Sequence, residues 1–379
     1  MTKIRYGLIG GGMMGLEHIR YLKKIDNAVI KIIVEPNELQ RKLCRKELPN
    51  VKFVPIEYLA SNDTIDAVII STPNYTHFNI LKFIIETNIK YILIEKPVVI
   101  KPVDVLKIIK MTENWDGKIW VGMEYRYMSP IAKLLKEANK GTIGNLHMMT
   151  LREHRNPFLK KIGNWNRFHE NTGGTLVEKC CHFFDLMHLF LNNNPIKVFA
   201  SGSMAVNHID ESYKGKKPDI IDNAFVIVDF ENGKRAMLDL CMFAEGTKYQ
   251  EELSVIGDKG RLDARVPSMW AETSKDEPTD GEITINMRKT LKPETRIIKV
   301  EEEILKIGGH FGSTWFEHLG FISMIENNLE PEVTLNDGLR AVIIGMAAEK
   351  SVKTGKHIDL TGIFDCHGNI MKDVSALKI

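Results

Sequence analysis

Cysteine is scarce: five of 379 residues (Cys44, Cys180, Cys181, Cys241 and Cys366), an odd number with no C-x-x-C pair. That excludes a disulfide framework and points to reduced thiols in a cytoplasmic protein. Adjacent Cys180 and Cys181 leave a helix on different sides, and no His/Cys cluster has ligand spacing, so no metal is expected. Long apolar runs are also missing; none approaches the roughly 18 residues that span a bilayer. The start MTKIRYGLIG has a short apolar run ending in glycines, not a secretory pattern. Asn74-Tyr75-Thr76 matches a glycosylation sequon that a cytoplasmic chain never presents to that machinery. A net charge of only +2 gives no reason to expect nucleic acid or an anionic membrane as partner. Repeats and low-complexity linkers are absent. What is present, 44% hydrophobic residues over this length, suffices for two domains with separate cores.

The first 125 residues alternate strands and helices. Apolar runs at Ile4 to Ile9, Val29 to Val34, Asp66 to Ser71, Tyr91 to Ile94 and Lys118 to Met123 read as strands. Helical spacing fills Met13 to Lys24, Asn37 to Glu47 (with Asn37 as cap), Thr76 to Thr87 and Asp104 to Asn114. Strands that are apolar throughout indicate a parallel sheet covered on both faces. Ligands bind such sheets at the strands' carboxyl ends, so the working loops should start at Gly10, Glu35, Ser71 and Glu95.

The turn GLIGGGMMG at 7–15 carries Gly10-x-Gly12-x-x-Gly15 between a strand and a helix. Gly10 permits the turn, Gly12 lets backbone approach phosphate, and Gly15 lets helix and strand pack closely. With Met13 and Met14 it opens a helix whose free N–H groups suit a dinucleotide pyrophosphate. Glu35, 20 residues past Gly15, is placed to accept from the adenosine ribose and to repel a 2′-phosphate, so NAD is expected over NADP. The nearest cation to receive that phosphate is Arg41, on the helix. In STPNYTH (71–77), Pro73 ends the ladder and puts Thr72, Pro73, Asn74 and His77 at the nicotinamide edge, His77 as a contact at most. Lys96, between Glu95 and Pro97 on the next strand end, can hydrogen-bond a reacting hydroxyl and favour its alkoxide. Glu95 is placed to orient that ammonium.

After Met123 the pattern becomes strand-rich: Leu146 to Arg155, Lys197 to Val206, Ala224 to Phe230, Lys234 to Phe243, Glu252 to Ile256 and Arg261 to Val266. Turns at 231–233 and 257–260 make this an α+β domain, a mostly antiparallel open sheet with helices on one face. The stretch 272–281 reads as a polar loop. Helices at Ser313 to Asn327 and Leu335 to Thr354 end the domain. Domains are therefore expected at 1–125 and 126–379. In GGTLVEKCCHFFD (173–185), a single helix would align Glu178, His182 and Asp185 on one side, the acids favouring imidazolium in a histidine general base. Candidates for a substrate wall are Arg126, Arg152, Trp165 and Asp185, with His154, Arg155, Arg167 and His310 as further basic groups. Trp165 suits stacking on a sugar ring.

Together these segments resemble the glucose–fructose oxidoreductase / inositol dehydrogenase / rhizopine-catabolism (Gfo/Idh/MocA) family over nearly the whole chain. The resemblance implies an N-terminal Rossmann domain and a C-terminal open sheet that also forms homodimer or homotetramer contacts. It implies NAD(P)-linked oxidation or reduction of sugars and cyclitols, with Lys96 and His182 as the catalytic pair. The acid four residues before the histidine is Asp in most of that family and Glu178 here; Lys179 beside it is unusual. Glycosidases that recycle tightly held NAD occur in the same family, and a non-catalytic NAD sensor is the third alternative.

Overall fold

The computed structural model describes residues 3–61, 64–268 and 280–379. Most of the expected polar loop at 272–281 lies outside these residues. Strands β1 (Ile4–Ile9), β2 (Ala28–Val34), β3 (Lys52–Phe53), β4 (Ala67–Ile70), β5 (Tyr91–Glu95) and β6 (Lys118–Gly122) form a parallel sheet in the order β3-β2-β1-β4-β5-β6. Helices α1 (Met13–Leu22), α2 (Glu38–Glu47), α3 (His77–Ile85) and α4 (Pro102–Thr112) connect them. Every residue of β4 is fully buried, which explains its unbroken apolar sequence. Asn37 caps α2 by accepting from the backbone N–H of Leu39 and Gln40, as its position suggested. The strand order reverses between β1 and β4, and a crevice opens there at the carboxyl ends.

The second sheet has nine strands: β7 (Leu146–His154), β8 (Pro195–Ser203), β9 (Asn223–Phe230), β10 (Arg235–Cys241), β11 (Tyr249–Gly257), β12 (Gly260–Pro267), β13 (Gly281–Met287), β14 (Pro293–Ile298) and β15 (Ile358–Asp359). It is antiparallel except where β10 runs parallel to β7. Helices α5 (Ser129–Asn139), α6 (His169–Thr172), α7 (Thr175–Glu178), α8 (Cys181–Leu191), α9 (Glu302–Leu305), α10 (Ser313–Asn327) and α11 (Leu335–Thr354) complete the chain. The inward row of the sheet is apolar (Leu151, Leu238, Leu253, Leu262) and buried under α5, α8 and α11. The other face stays open.

Two features depart from the sequence reading. β13, β14 and the two-residue β3 and β15 were not expected, although Ile283 and Ile285 of β13 alternate into the core. Helix α10 crosses back to the first sheet, where Phe321 meets Tyr6 and Trp120 at 6.3 and 6.1 Å between ring centroids. A helix from the second half of the chain thus packs on the core of the first sheet. No helix among the described residues is long and apolar enough to cross a membrane.

Candidate active site

At the crevice, a Cβ on Gly10 (φ +99°) would lie 2.7 Å from the Ser71 carbonyl oxygen, and one on Gly15 only 2.1 Å from that of Gly10. Nothing stands within 4 Å of a Cβ on Gly12, and no side chain caps α1 there. Two glycines are thus demanded by packing, while the third leaves open room at a helix N-terminus, which fits a pyrophosphate. Met13 is exposed beside it. Glu35 is buried at the end of β2, its carboxylate accepting from the N–H groups of Gly11 and Asn37, each at 2.7 Å. Arg41 Nε donates to the Glu35 carbonyl at 2.5 Å, its guanidinium also 3.7 Å from Glu38 and 5.7 Å from the Phe53 ring. At the end of β4, the buried Asn74 side-chain N–H₂ lacks a hydrogen-bond partner. An orphaned buried donor at this edge suits a polar ligand. Thr72 and Thr76 hydroxyls share a 2.7 Å bond.

His77, expected as a cofactor contact, and Glu95, expected to orient Lys96, bond to the scaffold instead. His77 has Pro97 and Thr72 carbonyls 2.8 Å from its two ring nitrogens, tying two strand-end loops together with no nitrogen left for a cofactor. Glu95 turns away from the cleft to His18 of α1, at 3.0 Å, and His18 in turn meets His318 of α10 at 3.0 Å.

The helix through 173–185 is broken rather than continuous. Glu349 of α11 accepts from the Leu176 N–H at 2.8 Å and so caps α7. The ladder then slips: the N–H groups of Lys179 and Cys180 both reach the Thr175 carbonyl, and α8 restarts at Cys181. The break frees the Glu178 carbonyl, which accepts from Lys96 Nζ at 3.1 Å and from Cys181 Sγ at 3.6 Å. Lys96 from the first sheet thereby reaches the broken helix of the second domain.

Glu178, His182 and Asp185 consequently do not act as one helix face. Asp185 pairs bidentately with Arg126, at 2.6 and 2.5 Å, and Arg126 also donates to the Glu332 carbonyl. These two proposed substrate contacts satisfy each other. Arg152 points from the open face of the sheet, bound to Asp239 and Glu252, because it alternates with the inward Leu151 and Glu153. His154 shares Asp239 on that face. Neither arginine belongs to the cleft wall. Trp165 does lie at the ligand edge, 6.2 Å from Tyr75 of the STPNYTH loop, with Lys161 Nζ 5.6 Å from its ring.

His182 stacks on Tyr125, centroids 4.2 Å apart and planes within 7°. Its nearest carboxylate is Glu124, at 3.9 Å from Nε2, and its buried Nδ1 has no partner. Burial, then the charges of Lys96, Lys179, His310 and Arg155, hold its pKa well below the usual histidine value. The expectation that flanking acids favour imidazolium is overturned: burial and these four cations outweigh the nearby Glu124 carboxylate. Glu178 has its Oε2 buried and unpartnered. Burial raises its pKa although Lys161, Lys96, Arg155 and Arg167 pull the other way. Burial opposes the Lys96 ammonium, but Cys181, Glu178, Glu95 and Glu124 outweigh it and keep its pKa above the ordinary value.

Beneath His182 lies a network that the sequence reading missed. Lys179 Nζ lies 2.9 Å from Glu153 and donates to the Tyr125 hydroxyl, which stands 3.1 Å from Glu251. Glu153 and Glu251 face each other across β7 and β11. The one signal was the oddity of a lysine in a run that should face the core. His310 sits between Glu17 and Glu124, at 3.3 and 3.4 Å. Against burial, those two acids lift its pKa to about 9. The three offer ligand atoms within 4.8 Å of one another, but they already pair as imidazolium and carboxylates.

A dinucleotide turn facing a buried lysine and histidine across two sheets defines a nicotinamide-type oxidoreductase architecture. The chain belongs to the Gfo/Idh/MocA oxidoreductase family: residues 4–123 match its NAD-binding Rossmann fold and 136–360 its C-terminal alpha/beta domain. It is 26% identical to a myo-inositol 2-dehydrogenase of Thermotoga maritima over 368 residues, 94% of this chain and 98% of that protein. It is also 26% identical to a 2,7-anhydro-N-acetylneuraminate hydratase of Escherichia coli, over 68% of this chain and 67% of that one. A levoglucosan dehydrogenase solved with NADH and levoglucosan superimposes with a TM-score of 0.78 at 17% identity, covering 95% and 100% of the two chains.

Proposed function

We propose that the protein is an NAD-dependent dehydrogenase that oxidises a CH–OH carbon of a cyclitol or sugar, or reduces the matching ketone. The observation that carries this reading is the meeting of Lys96 with the broken helix at the dinucleotide edge, beside two buried, unpartnered atoms, Glu178 Oε2 and His182 Nδ1. NAD, when bound, supplies the hydride acceptor. The Lys96 ammonium hydrogen-bonds the reacting oxygen and favours its alkoxide. His182, held neutral, accepts the hydroxyl proton at Nδ1. Tyr125 fixes the plane of the imidazole, and Trp165 offers a ring to the sugar's apolar face. The named myo-inositol and levoglucosan dehydrogenases support the substrate class.

A second reading has one observation in its favour, the relative named as a hydratase. A redox-neutral reaction would use the same lysine and histidine while NAD is reduced and reoxidised within one turnover. The test is NADH absorbance with cyclitols, aldoses, anhydro sugars and uronic acids. Net NADH supports the dehydrogenase; product without net NADH supports the redox-neutral reaction; tight NADH binding with neither supports a sensor.

The open face of the second sheet carries an apolar row across three strands: Phe199 opposite Ile227, Ile227 opposite Met237, with Phe225 61% exposed beside them. We propose that it is the surface on which copies of the chain associate.

A further inference from the structure

Few charges on the substrate side of Lys96 and His182 cancel. The cations whose fields reach Glu178 are Lys161, Lys96, Arg155 and Arg167, and those reaching His182 add Lys179 and His310. Lys179 has Glu153, and His310 has Glu17 and Glu124. Arg155 donates to the Asn156 carbonyl at 3.1 Å, and the carboxylate it reaches is the Glu153 oxygen that Lys179 already holds, at 3.5 Å. Arg167 is buried and donates one bond to Glu211, but its Nη1 has no partner. Lys161 Nζ makes no hydrogen bond or ion pair among the described residues; it stands over the Trp165 ring, and burial lowers its pKa. Among the described residues the carboxylates that offset Lys161 are Glu178, whose Oε2 is unpartnered and whose burial favours its neutral form, and Glu95, already bound to His18. Desolvated cations without partners are costly, and a bound anion relieves that cost.

We propose that the substrate carries a carboxylate beside its reacting hydroxyl, a sugar acid, and that Lys161, with Arg155 and Arg167, receives that group. This rests on the dehydrogenase reading above. A carboxylate suits the receptor better than a phosphate dianion, because the two arginines already share carboxylates and Lys161 alone is unpaired. Planar arginine faces also match a planar anion. Lys96 is not part of the receptor, since its ammonium serves the reacting oxygen.

The experiment uses the NADH-loaded full chain and measures binding of D-glucuronate, D-galacturonate and D-gluconate against their uncharged amides, with D-glucose 6-phosphate as the phosphate arm. At least one acid should bind roughly tenfold or more tightly than its amide, the size of one charge-assisted hydrogen bond. Lys161→Met should remove most of that preference and Lys161→Arg restore part of it. Acids that bind no better than amides, or a sugar phosphate preferred to every acid, overturn the proposal. So does an acid preference that Lys161→Met leaves intact. NADH formation on NAD-loaded samples separates the two readings. An acid preference without any hydride transfer removes the dehydrogenase and leaves the receptor. Wild-type turnover of neutral sugars as fast as of any acid, with no acid preference in binding, removes the receptor and leaves the dehydrogenase.

Discussion

At the scale of single residues, burial and neighbouring charge decide what His182 can do. Its depressed pKa means that the free base, the form a general base needs, persists as pH falls below the ordinary histidine range. Oxidation, followed as kcat/KM, should therefore be flat across neutral pH and fall only in acid. The Lys179 charge is among those that disfavour a proton on the imidazole, although burial lowers the Lys179 pKa as well. Lys179→Met should move the acid limb to higher pH; an unmoved limb would show that Lys179 does not act on His182. Glu35 is the residue proposed to set the cofactor preference. Wild type should favour NAD, and Glu35→Ser should narrow the preference by relieving repulsion of a 2′-phosphate. Equal kcat/KM for NAD and NADP in wild type would remove Glu35 from that role. Residues with a chemical signature at a strand end, Lys96 and Glu35 among them, were legible in the sequence. Tyr125 was not, because an aromatic in MEYRY differs from any core aromatic until His182 stacks on it.

Among elements, the broken helix matters most. Helical spacing in 174–191 is real, and the sequence carries no proline to announce a stop. The break between α7 and α8 comes from outside: Glu349 caps α7 from a helix some 170 residues later, and Lys96 takes the freed carbonyl. Local pattern cannot report such partners. The same limit hid the return of α10 to the first sheet, whereas β1, β2, β4 to β6 and α1 to α4 follow their apolar periods within a residue or two, and the two-residue β3 went unread. β14 went unread because all but one of its residues are exposed at the sheet edge. Gly174 tests the corner. At φ +94°, its Cβ would fall 2.2 Å from the Glu349 carboxylate. Gly174→Ala should destabilise the protein by about 2 kcal/mol or more, combining backbone strain with loss of the cap. A melting temperature equal to wild type would mean that the corner does not depend on this contact.

For the whole molecule, the second sheet is covered on one face and bare on the other, and the bare face carries Phe199, Phe225, Ile227 and Met237. Light scattering should give a multiple of the 43.2 kDa chain mass. Phe225→Lys should lower that mass without lowering the melting temperature of the subunit core. A wild-type monomer at micromolar concentration would contradict association through this face. Across the molecule, the central claim is that a lysine from the first sheet does chemistry at a corner built by the second. The most direct measurement compares Lys96→Met with wild type in NADH affinity and in kcat for the best substrate of the sugar and cyclitol panel. An interaction made mainly with the developing alkoxide predicts NADH binding within a few-fold of wild type and kcat lower by a factor on the order of 10² to 10³. Unchanged kcat with weakened NADH binding would contradict it and make Lys96 a cofactor ligand.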